Sequence, residues 1–71
     1  MTVNAVTLLS EALGIPADSV GADTKLGLIP EWDSLAHMRL VLGIEEKLGR
    51  QLAPEEVLSI DGLDAVEALF A

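Results

Sequence analysis

A chain of 71 residues is near the lower limit for a self-sufficient core, so one domain over 1–71 is expected, with 51% hydrophobic residues to build it. A net charge of −8 argues against nucleic acid and anionic membrane surfaces, and favours basic partners approached by electrostatic steering. With no cysteine, disulfides, thiolate metal sites and cysteine nucleophiles are excluded.

No apolar run reaches the roughly 18 residues needed to span a bilayer. No basic region followed by an apolar stretch opens the chain, so no signal sequence is expected and a cytoplasmic protein is. Trp32 and Phe70 are the aromatic residues, so the core must be aliphatic.

Gly, Pro and Asp divide the chain into four helical segments. The first is expected over 3–13, with Val6, Leu9 and Leu13 on one stripe. Thr2 is its expected N-cap, Gly14 its C′ residue and Ile15 a hydrophobic stop. From Gly14 to Trp32, Pro16, Gly21, Gly27 and Pro30 break any long helix. One short turn fits residues 16–20. Val20, Leu26, Leu28 and Ile29 are the expected pegs that hold this long loop to the core. Thr24 to Ile29 comes nearest to a strand, but it is short and carries a glycine. A structureless loop of this length in a small domain points to function.

The second helix is expected over 34–48, with Asp33 as N-cap and Gly49 as C′ residue. That register makes Trp32 N′ and His37 N4, the two positions of a hydrophobic staple. A short third helix is expected over 54–58, starting with Pro54 at N1. The fourth is expected over 62–70, after an Asp61 cap with Asp64 three residues on. It turns Leu63, Val66, Leu69 and Phe70 inward. The expected fold is therefore all-α: three main helices plus one short one, with a long loop between the first and second.

At 100° per residue, the second helix has two apolar sides. His37, Leu40, Val41, Ile44 and Leu48 share one, the expected core face. Leu35, Met38 and Leu42 share nearly the opposite one, joined by Glu45 and Glu46 and flanked by Arg39. A helix on a small core needs one stripe. The second strip, apolar with a charged rim, has the character of a transient protein-binding surface unless the long loop covers it.

The chain offers little catalytic machinery. Ser34 and the single histidine, His37, are three residues apart, but no separate orienting acid or oxyanion hole accompanies them. No calcium-loop, zinc or phosphate-loop spacing is present, so no metal site is expected. What remains is Ser34 at the first turn of a helix, where free N–H groups and the helix dipole favour an attached phosphate. The chain supplies no base to activate this hydroxyl, so an outside enzyme is required.

In its four helical segments, its long loop and Asp33-Ser34-Leu35 at the start of the second helix, the chain resembles the acyl carrier protein family along nearly its whole length. The resemblance implies a non-catalytic carrier and a monomer. It implies 4′-phosphopantetheine on Ser34, flanked by Asp33 and Leu35, transferred from coenzyme A by a magnesium-dependent phosphopantetheinyl transferase. The thiol ending that arm holds acyl intermediates as thioesters, and the lack of cysteine fits a thiol supplied from outside. By position, the resemblance assigns partner recognition to Leu35, Met38, Arg39, Leu42, Glu45 and Glu46. The partners are acyl-loading, synthase and transferase enzymes with basic and apolar docking patches. Glu31-Trp32 stands where many carriers of fatty acid synthesis have a glycine two residues before the Asp. Ala36 and Arg39 stand where acidic residues are common. These differences imply a carrier for one specialised pathway, fatty-acid, polyketide or other. An aminoacyl or peptidyl carrier and an acidic adaptor working through the Leu35–Met38–Leu42 strip are the alternative readings.

Overall fold

The computed structural model describes residues 4–70. Four α-helices follow in order: α1 (Ala5–Leu13), α2 (Ser34–Leu48), α3 (Pro54–Ser59) and α4 (Leu63–Leu69). A 3-10 turn, Ala17–Ser19, fills the expected short turn after α1. The fold is the all-α arrangement the sequence pattern anticipates.

Thr2, the expected first cap, lies outside the described residues, and the capping residue is Asn4. Its Oδ1 accepts from Val6 N–H at 2.9 Å and Thr7 N–H at 3.3 Å. These are two of the N–H groups a helix start leaves without an internal acceptor. Gly14 ends α1 at φ 70°, where a side chain would be strained, and its N–H returns to Ser10 O. Gly49 ends α2 in the same way at φ 74°.

The core joins α1 to α2. Leu9, Leu40, Ile44, Ile60 and Val66 are almost completely buried. Leu63, Leu69 and Phe70 of the α4 region pack partly buried against them. Burial of this kind is worth about 1.5–3 kcal/mol per large aliphatic side chain. The radius of gyration, 10.9 Å, is close to the ~11 Å that a compact chain of this length should have, so the long loop is folded down.

That loop is fastened differently from expectation. Val20 and Ile29 do pack on the core, but Leu26 and Leu28 are exposed, at 42% and 74%. The pins are polar. Buried Thr24 accepts from Gly21 N–H through Oγ1 and donates to Ser19 O. The near-strand reduces to a single antiparallel bridge, Lys25 with Gly62, and Leu26 N–H donates to Asp61 O at 3.0 Å.

The same bridge explains a second correction. Asp61 does not cap α4; the cap position is Gly62, with no side-chain bond. The Asp61 carbonyl accepts from the loop and Gly62 is held extended by the bridge, so the helix starts one residue later. At α3, Glu56 Oε1 accepts from Ala53 N–H at 2.9 Å and its carboxylate pairs with Arg50 at 3.0 Å. Alanine cannot accept in return, so this is one half of a capping box.

Candidate functional site

The site is built where the long loop becomes α2. Asp33 has an extended backbone and its Oδ1 accepts from Ala36 N–H at 2.8 Å, while Asp33 O accepts from His37 N–H at 2.9 Å. Asp33 is thus the expected N-cap, an interaction worth about 1 kcal/mol. Its carboxylate meets the N3 amide and leaves the amides of Ser34 and Leu35 without a protein acceptor among the described residues. Ser34 is exposed and its hydroxyl makes no hydrogen bond to described residues. A phosphate ester on this oxygen would find two open N–H groups and the positive end of a 15-residue helix dipole. The chemistry of phosphopantetheine attachment therefore fits the residues present.

Trp32 and His37 do more than the expected staple. The rings stack with centroids 6.1 Å apart and an interplanar angle of 28°. Trp32 Nε1–H donates to His37 Nδ1 at 3.0 Å, and His37 Nε2 lies 3.0 Å from Val57 O. An indole nitrogen only donates, so Nδ1 must be the acceptor. Nε2 then carries the proton and donates to the Val57 carbonyl. Both ring nitrogens are committed, and neither serves Ser34. A Ser34–His37 dyad is therefore not formed. The cleft of about 280 Å³ beside the 3-10 turn is lined by Ile15, Pro16, Ser19, Asp23, Thr24, Ile29 and Glu31, without Ser34 or His37. Among the described residues, no cluster of three metal-ligating side chains occurs.

The long loop leaves the second face of α2 uncovered. Leu35, Met38 and Leu42 are 61%, 52% and 61% exposed. Arg39 and Glu46 are exposed beside them. Glu45 departs from the expectation of a free rim residue. It is half-buried, and its Oε2 accepts from Leu52 N–H at 2.9 Å, holding the turn between α2 and α3. The Arg50–Glu56 pair and the Val57 carbonyl were not anticipated. Glu56 three residues after Ala53 was the one readable sign, since it completes half of a capping pattern.

The site is thus a helical bundle with an exposed hydroxyl at an open helix start and its histidine engaged elsewhere. The family model described as phosphopantetheine attachment site matches residues 5–70, and the chain belongs to that family. Its members are carriers, generally non-catalytic, with 4′-phosphopantetheine attached covalently to a serine. No curated protein and no solved structure matches the chain. No helix among the described residues is long and apolar enough to cross a membrane.

Proposed function

We propose that Ser34 carries the 4′-phosphopantetheine arm and that the chain is an acyl carrier serving one dedicated biosynthetic pathway, with acyl or aminoacyl cargo. The observation that carries the assignment is the contrast among the four serines. Ser10 donates to Ile15 O and Ser59 to Glu56 O. Ser19 sits in a three-residue turn. Ser34 alone combines exposure with the open N-terminus of a long helix. Asp33 caps that helix and Leu35 stands exposed beside the attachment point. When attached, the arm supplies a thiol that holds an acyl group as a thioester. A separate phosphopantetheinyl transferase loads it, because the chain offers Ser34 no base.

Partner enzymes dock on Leu35, Met38, Arg39, Leu42 and Glu46, with Glu45 shaping the adjacent turn. Arg39 supports a dedicated partner. It is exposed, and the ion pair found among the described residues belongs to Arg50 and Glu56 instead. A cation within an acidic rim disfavours a uniformly basic docking patch. Arg39→Glu is expected to shift the on-rate a few-fold, toward a general fatty-acid synthase partner and away from the dedicated one. Unchanged kinetics with both would remove Arg39 from recognition.

The test of attachment is incubation with coenzyme A, magnesium and a promiscuous phosphopantetheinyl transferase, read by intact mass. One arm is expected on the wild-type chain and on Ser59→Ala, and none on Ser34→Ala. No gain in the wild type, or an equal gain in Ser34→Ala, overturns the assignment.

A further inference from the structure

The link from Trp32 through His37 to Val57 has no part in attaching a group to Ser34. It joins the turn that enters α2 to a short helix whose own side chains have little hold on the bundle. α3 contains no fully buried residue, and Val57 is its one side chain packed against the core. Buried Leu52 and Ile60 pin the chain just before and just after it, so the helix between them is held by Val57, the Arg50–Glu56 pair and the Glu56 contact to Ala53 N–H. Elements held by few apolar contacts open at low free energy.

We infer that His37 couples α3 to the Ser34 turn, so that the seating of α3 sets how firmly Trp32 is held. The imidazole is a rigid planar spacer that uses one nitrogen toward each side. Donation from Nε2–H to the Val57 carbonyl polarises the ring and makes Nδ1 the better acceptor for Trp32. If the Val57 carbonyl moves away, the ring either turns after it or loses that polarisation. The indole bond weakens in both cases. The coupling is reciprocal, because any free energy shared between two ends acts from either one. His37 is a positioning residue. On the reading that Ser34 bears the arm, a partner that lifts α3 also loosens the turn presenting it.

The experiment uses the unmodified chain, so its outcome is separate from that of the mass measurement. One tryptophan gives a single indole signal and one histidine a single pair of imidazole signals in nitrogen-15 spectra, so all are assignable. Glu56→Ala loosens α3 without touching Trp32 or His37. It should speed exchange of the Trp32 indole proton about threefold to tenfold, the scale of one neutral hydrogen bond. In a His37→Phe background, adding Glu56→Ala should leave indole exchange where it was. In His37→Gln, whose amide offers one acceptor and one donor, the response should return. An unchanged indole in Glu56→Ala, or an equal response in His37→Phe, overturns the coupling. If His37→Phe does not fold, Trp32→Phe reads the link from its other end. Faster exchange of the Val57 amide supports it, and an unchanged rate overturns it.

Discussion

Helices α2 and α3 meet at His37, yet they are held to the molecule by different forces. α2 buries Ala36, Leu40, Val41 and Ile44 along one side and is capped at both ends, by Asp33 and Gly49. α3 is six residues long and buries no residue fully; between the buried Leu52 and Ile60 at its ends, its own ties are Val57 and a set of charged and polar groups. The first arrangement suits an element whose position is fixed. Apolar contact neither titrates nor is screened as a charge pair is, and the caps define where the helix begins. The second suits an element whose position can change, because its ties are weak singly and respond to solution conditions.

The largest effect should come from removing α2's grip on the core. Ile44 is fully buried, so Ile44→Ala loses both transfer free energy and packing, about 2–5 kcal/mol. Small domains have about 5–15 kcal/mol in total, so urea denaturation followed by far-UV circular dichroism should show a large fall in midpoint. A truncation at Val57 should cost clearly less, because that side chain is only partly buried. Equal losses at the two sites would mean that α3 is as firmly anchored as α2.

A smaller loss is expected at the α2 start. Asp33→Ala removes the acceptor for Ala36 N–H and should cost about 1 kcal/mol. Asp33→Asn keeps an acceptor and should recover most of it. The comparison with α3 is direct, since α3 already has an alanine at its N-cap and relies on Glu56 instead. No recovery in Asp33→Asn would assign the effect to charge at the helix dipole and not to the hydrogen bond.

The α3 counterpart is a pH effect. The Glu56 carboxyl is held at about 2, below its ordinary 4.5. The main cause is the hydrogen bond from Arg50, followed by that from Ala53 N–H. A lowered folded-state value stabilises the ionised form. The contribution is therefore fully present above about 4.5 and lost as pH falls through about 2. The pair is at the surface, so salt should weaken it. Nuclear magnetic resonance shifts of the Ala53 and Glu56 amides should titrate in that window, and Glu56→Gln should flatten them. No titration at Ala53 in the native chain would remove the carboxylate from the cap.

How much of this could be read from sequence follows the same division. α2 was legible to the residue, because Asp33, Gly49 and two apolar stripes are local signals with a fixed period. The exposure of Leu35, Met38 and Leu42 followed from the same wheel. What escaped were pairings between distant backbone segments. Asp61 is an acceptable cap by residue type, but its backbone is held by Leu26, 35 residues away. Leu26 and Leu28 are apolar by type, yet a turn through Gly27 at φ 86° leaves them exposed. Val57 contributes a carbonyl to His37, and any residue would supply the same atom. The exposed place of Ser34 at the start of α2 was legible because its context, a cap before it and an exposed strip after it, is local.

The smallest stability effects belong to two exposed leucines, and they compare the helices as surfaces. Leu42 on α2 is 61% exposed and Leu58 on α3 is 82% exposed. Either one changed to alanine should alter stability by less than about 0.5 kcal/mol. Their effects on docking should differ. A partner gripping Leu42 meets a side chain on an anchored helix, so little ordering is lost on binding. A partner gripping Leu58 must also immobilise a loosely tied helix, and that ordering opposes association. With the phosphopantetheinyl transferase as partner, Leu42→Ala should raise KM several-fold and Leu58→Ala should leave it within twofold, about the difference between losing one buried apolar contact and losing none. A larger KM change at Leu58 would show that α3 becomes ordered in the complex, and would extend the docking surface from α2 onto α3.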